Sequence, residues 1–192
     1  KRLFYILLII LSPIINSQSQ FQEFINHVNS LSKDQQKTAA VDSFMIYART
    51  VGIPFIEDST ANFIYLGNYS TVTAAGDFNN WSATAWSLTR LSQTNFWYRS
   101  QTFEMDARLD YKFVLNGSNW ILDPKKQKTC AGGFGPNSEL AMPLYVQPWE
   151  IQYNPNILHG TVVTKSIYST NTSVTYQLNI YLPPGYDTSS AL

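Results

Sequence analysis

The 192 residues carry 13 basic and 13 acidic side chains, a formal net charge of zero. With no basic run to neutralise phosphates, that balance argues against nucleic acid or an anionic membrane surface as a partner. The length permits one large domain, or a small domain with parts of others. A single cysteine, Cys130, excludes an intrachain disulfide framework.

Lys1-Arg2 followed by the apolar run 3–11 has the layout of a secretory leader, with Ser17 and Ser19 as the small residues at −3 and −1 before Gln20. The run is short for a membrane span, although Ile14 and Ile15 lengthen it and leave an N-terminal anchor as the alternative. We therefore expect a signal peptide over 1–19, a secreted or periplasmic protein, and no membrane association after cleavage. Phe21, Phe24, Ile25, Val28 and Leu31 then fall on one face of a helix. Ser32 and Gln35 offer a capping box for a second helix to about residue 49, with Val41, Phe44, Met45 and Ala48 inward and Gly52 and Pro54 closing it. This helical segment, 20–55, is free to pack on the strand-rich region after it or on a later domain. His27, beside the apolar stripe, reads as a surface or boundary histidine.

From Ala61 the period changes from helical to extended. Short runs around Phe63, Tyr65, Val72 and Ala74, then 96–105 and 109–115, are separated by polar turns, the pattern of a β-sandwich. Two strings anchor it. AAGDFNNWS, at 74–82, is a strand that stops at Gly76 and turns through Asp77, Asn79 and Asn80 to deliver Trp81. YKFVLNGSNW, at 111–120, is an alternating strand, an Asn-Gly hairpin signal and an outgoing strand carrying Trp120, ended by Asp123-Pro124.

The joint spacing of these two strings resembles the glycogen- and starch-binding module family over about a third of the chain. The resemblance implies an immunoglobulin-like β-sandwich, at 56–148, that binds α-glucan. Residue by residue it implies that Trp81 and Trp120 stack on sugar rings, that Lys112 hydrogen-bonds hydroxyls, that Asn137 supplies a polar contact and that Phe134 is the apolar residue against the glycan. This chain departs from the family in having Ser118-Asn119 between Gly117 and Trp120. The alternative is that both indoles are packing residues; Trp86, Trp97 and Trp149 are assigned to core or interdomain packing.

After a linker at 149–160, the alternating runs 161–168 and 174–182 end in YLPPGYD at 181–187. That string resembles the opening strands of esterase D and enterochelin-esterase-type α/β-hydrolases, which implies a truncated esterase domain at 161–192 and a downstream remainder as the module's partner. No G-x-S-x-G elbow, phosphate loop, zinc spacing or calcium loop occurs in the sequence, so we expect no catalytic, cofactor or metal residues in this chain. His159-Gly160 reads as a linker turn and Cys130 as an incidental thiol. The fold expected is mainly β: an immunoglobulin-like sandwich preceded by a short helical pair and followed by the first strands of an α/β-hydrolase. Two functions stand: the N-terminal fragment of a secreted carbohydrate esterase, of feruloyl or acetyl xylan type, whose module binds α-glucan or xylan, or a non-catalytic glycogen- or starch-binding or docking protein.

Overall fold

The computed structural model describes residues 19–186; the leader expected over 1–19 lies, apart from Ser19, outside them. The chain divides into two compact units, the first running to Val146 and the second beginning at Gln147. Among the described residues no helix is long and apolar enough to cross a membrane.

Helix α1 spans Gln20–Ser30, capped by Ser19, whose Oγ accepts the Gln22 N–H at 3.1 Å. Helix α2 spans Asp34–Val51. The capping box expected at Ser32 and Gln35 does not form. Lys33 takes the N-cap position without a side-chain bond, its carbonyl accepting from Gln36 and Lys37, and Asp34 supplies the acidic charge of the first turn. Strands β1 (Phe55–Glu57), β2 (Thr60–Leu66), β3 (Val72–Gly76), β4 (Thr89–Arg90), β5 (Phe96–Thr102), β6 (Arg108–Leu115), β7 (Asn119–Ile121), β8 (Thr129–Cys130) and β9 (Asn137–Ala141) complete the first unit. They form two antiparallel sheets, β1-β2-β5-β4 and β3-β6-β9-β8, with β7 pairing β6 beyond the end of β9.

The two sheets meet face to face. Ala61, Phe63, Tyr65 and Trp97 of the first sheet pack on Val72, Ala74, Tyr111, Phe113, Leu115 and Leu140 of the second. Phe63 meets Tyr111 edge-on at 5.2 Å, and Tyr65 meets Phe113 at 5.4 Å. This is a sandwich, and its first sheet is covered on the outside as well. Phe21, Ile25 and Val28 of α1, with Val41, Phe44, Met45 and Ala48 of α2, bury Phe55, Ile64 and Phe96 in a second core. Strand β2 is therefore buried on both faces, and its sequence reads as one apolar run instead of alternating. Asn62 is tolerated there because its amide is satisfied on both sides, by the Phe55 carbonyl at 3.0 Å and the Ser100 hydroxyl at 2.6 Å. Lys37 lies along the helix interface and reaches Gln93 Oε1 at 2.8 Å, its stem buried and its head paired.

In the second unit, β10 (Thr161–Ser169) and β11 (Val174–Leu182) form an antiparallel hairpin. The pairs Val163–Ile180, Lys165–Leu178 and Ile167–Tyr176 lie on one face, and Thr164–Asn179 and Ser166–Gln177 on the other. The second face is tied by side-chain hydrogen bonds of 2.9 Å at both pairs. The first face leaves Ile167, Tyr176, Leu178 and Ile180 exposed. Trp149, expected to pack, is 76% exposed, on a single 3-10 turn.

Phe44 stacks on Phe24 at 4.0 Å and meets Phe21, Phe55 and Phe96 edge-on. Phe44→Ala is expected to lower unfolding stability by about 3–5 kcal/mol in a urea titration. A loss below about 1 kcal/mol would put the helical pair outside the cooperative unit.

Candidate binding site

The first part of the site is the turn after β3. Gly76 lies so close to β6 that a Cβ there would run into the Asp110 carbonyl, which is why no larger residue fits. Its N–H donates to Asn79 Oδ1 at 3.0 Å, and Asn79 Nδ2 returns to the Ala74 carbonyl at 2.9 Å. Asn80 and Trp81 follow with φ of 53° and 58°, two consecutive left-handed residues. Such positions are uncommon for residues other than glycine and are held by their surroundings. Here the Trp81 N–H donates to the Gly76 carbonyl at 2.9 Å, and the indole Nε1–H donates to Asp77 Oδ1 at 3.0 Å. The other oxygen of Asp77 accepts the Asp110 backbone N–H at 2.7 Å.

The second part is the outer face of the second sheet. Along β6, Leu109, Tyr111, Phe113 and Leu115 face the core, so the pleat turns Asp110, Lys112 and Val114 outward. Asn116 and Gly117 both take positive φ, 51° and 77°, as the Asn-Gly signal requires. Leu115 pairs with Asn119, so the loop has three residues and Ser118 is taken up within it. Trp120 then stands opposite Val114, on the same outer face as Lys112. Asn116 also ties the loop down, its Oδ1 accepting the Ser70 N–H at 3.0 Å.

Asn137 opens β9 beside Asp110, with Nδ2 donating to Asp110 Oδ2 at 3.0 Å. The glycine-rich loop between β8 and β9 carries Phe134, fully exposed, and its carbonyl accepts from Lys112 Nζ at 3.4 Å. These groups line one concavity of about 740 Å³, walled by Asp77, Trp81, Asp110, Lys112, Trp120, Gly132, Gly133, Phe134 and Asn137. All four residues singled out from the sequence are in it, with Phe134. Asp77 and Asp110 were not legible as part of it: their contacts join positions 33 residues apart.

The tryptophans differ in what covers them. Trp86 stacks on Phe78 at 4.3 Å and carries the Arg99 guanidinium at 4.9 Å from its ring. Trp97 is buried, has Arg90 at 5.7 Å and donates Nε1–H to the Gly67 carbonyl. Among the described residues neither Trp81 nor Trp120 is in contact with another aromatic ring, and Trp120 is 42% exposed. His159, in the second unit, stacks on Tyr153 at 4.6 Å and bonds the Asn154 carbonyl, a local turn as expected.

Asp110, in the wall of the cavity, is ion-paired. Arg108 bridges Asp110 and Glu139, and Lys128 meets Glu139 at 2.8 Å. Partial burial pushes the Asp110 carboxyl up, but hydrogen bonds from Cys130 and Asn137 and the charge of Arg108 outweigh it and hold it below the usual carboxylate range. Glu139 is lowered likewise, Lys128 and Arg108 outweighing its burial. Burial and the adjacent Asp110 push the Cys130 thiol up, so it is a neutral donor, 3.0 Å from Asp110 Oδ1. No cluster of metal-ligating side chains occurs among the described residues.

No family model matches the chain, and no curated protein matches it. The solved structures similar to it include the enterobactin esterase of Shigella flexneri, crystallised with enterobactin, at 16% identity over 62% of this chain and 39% of that one, with a TM-score of 0.45. The ferric enterobactin esterase of Salmonella typhimurium gives 15% identity, 64% and 41% coverage and a TM-score of 0.46. The chain spans about two fifths of the length of these esterases. At such scores the likeness assigns this chain neither a fold nor an activity.

Because Asp110 is lowered in the folded state, its contribution to stability is complete above the unfolded value near pH 4 and is lost as pH falls through the folded value. Thermal melts should therefore show Asp110→Asn less stable than wild type at pH 7, with the gap closing below about pH 4. A gap independent of pH would mean that the Asp110 charge does not contribute.

Proposed function

We propose that the first unit binds a neutral, hydroxyl-rich glycan, an α-glucan or xylan, on the outer face of its second sheet. The observation that carries this reading is the convergence of two indoles free of other rings, Trp81 and Trp120, with Lys112 and Asn137 on one concavity. Sugar rings present C–H faces that pack on such planes, and their hydroxyls need a few fixed polar partners. Lys112 has donors to give, since its one bond, to the Phe134 carbonyl, is long at 3.4 Å.

In this reading the module belongs to a secreted or periplasmic carbohydrate esterase, and it presents the glycan while the nucleophile lies in sequence beyond the 192 residues. Two features support the connection: the YLPPGYD string that ends the hairpin, and the hairpin's bare apolar face, which suits a strand pair of a larger sheet. With no G-x-S-x-G string in the sequence, binding is the role this reading gives to the chain.

Isothermal titration with soluble starch and xylo-oligosaccharides tests the reading. Trp81→Ala and Trp120→Ala are each expected to weaken binding by about 1–2 kcal/mol, roughly 5- to 30-fold, with the fold intact by circular dichroism. Unchanged affinity in both variants would remove the indoles from the site.

A further inference from the structure

Carboxylates in the wall of a sugar-binding cavity ordinarily read as acceptors for ligand hydroxyls. We propose that Asp77 and Asp110 are instead positioning residues, which set the Trp81 indole and the Asn137 amide for a ligand they do not touch. The proposal rests on the glycan-binding reading of this face.

Each carboxylate already has protein donors on both of its oxygens. Asp77 takes the Trp81 indole N–H on Oδ1 at 3.0 Å and the Asp110 backbone N–H on Oδ2 at 2.7 Å. Asp110 takes Arg108 Nη1 at 2.6 Å and the Cys130 thiol at 3.0 Å on Oδ1, and Asn137 Nδ2 at 3.0 Å on Oδ2. An ionised carboxylate only accepts, so the amide nitrogen of Asn137 must face Asp110. Its carbonyl oxygen is left as the acceptor for a ligand. Trp81 has the greater need of such a hold, because it lies in the left-handed region at the end of a turn and, among the described residues, no other ring packs on it. The backbone N–H of Asp110 also joins the two carboxylates, so one residue of β6 sets both contact groups. Ligand recognition then falls to two indole faces, the Lys112 ammonium and one amide oxygen, a set suited to a hydroxyl that donates to Asn137 and accepts from Lys112.

Two readouts test the assignment. In titrations with maltohexaose and xylohexaose, Asp77→Asn should weaken binding about tenfold, the scale of one charged hydrogen bond. In the Trp81→Ala background it should weaken it no further, because the residue acts through the indole. Asp110→Asn should lose its effect in the same way against Asn137→Ala. Independently of sugar, the indole N–H resonance of Trp81, identified by its loss in Trp81→Phe, should shift and exchange faster with water in Asp77→Asn, while those of Trp86 and Trp97 stay. Equal losses in both backgrounds would make the carboxylates direct ligand contacts and overturn the proposal, as would an unmoved indole resonance. If the wild type binds neither sugar, the glycan reading fails, and the indole resonance alone decides the role of Asp77.

Discussion

The pleat of β6 imposes two tasks on eight residues. Tyr111, Phe113 and Leu115 must face the opposing sheet, so Asp110 and Lys112 are obliged to face out, and a shift of one residue in register would exchange the two sets. Register is pinned by three partner strands. Strand β3 pairs Gly76 with Tyr111, β9 pairs Ser138 with Tyr111, and β7 pairs Ile121 with Phe113. Tyr111 is also held from within, its hydroxyl donating to Asp123 at 2.6 Å, while the Asp123 N–H donates to Ser138 Oγ at 2.8 Å. Burial pushes both Tyr111 and Asp123 up, and their mutual hydrogen bond satisfies two polar groups that would otherwise be costly in the core. The outward face inherits its geometry from this inward locking.

Support from behind comes in two layers. The first sheet has aromatic side chains on both faces, one set against the second sheet and the other against α1 and α2. Close-packed interiors have low compressibility, so the face bearing Asp110 and Lys112 is built on a rigid base. The glycine-rich loop forms a wall on this base: Gly132 and Gly133 line the cavity, and Phe134 is fully exposed, its carbonyl accepting from Lys112.

Much of this was legible in the sequence. The helical faces follow from spacing, since Phe21, Ile25 and Val28 on one helix and Val41, Phe44, Met45 and Ala48 on the other are the buried sets. Trp81, Lys112, Trp120 and Asn137 were singled out through the resemblance to glycogen- and starch-binding modules, and all four line one cavity. Ser118 could not be placed from sequence, because an extra residue fits equally in a loop or a bulge; the structure takes it into the loop. The capping box failed because helix entry depends on how the chain arrives from α1, which a four-residue pattern does not specify. The engagement of Asp77 and Asp110 is tertiary: a carboxylate in a turn and one on a strand look like solvated residues until β3 and β6 are laid side by side. Asp123 reads as a strand stop before Pro124, yet it is a buried anchor for Tyr111.

If one face of one sheet meets the ligand, as proposed, the contact should be visible residue by residue. Amide and indole resonances, mapped during titration with an α-glucan and with a xylan oligosaccharide, report it. Perturbations are expected to gather at Trp81, Lys112, Trp120, Phe134 and Asn137 and to leave Trp86, Trp97 and the helices unchanged. Perturbations centred on the helices, or on the stacked Phe78 and Trp86 rings, would place the ligand elsewhere and refute the assignment of this face.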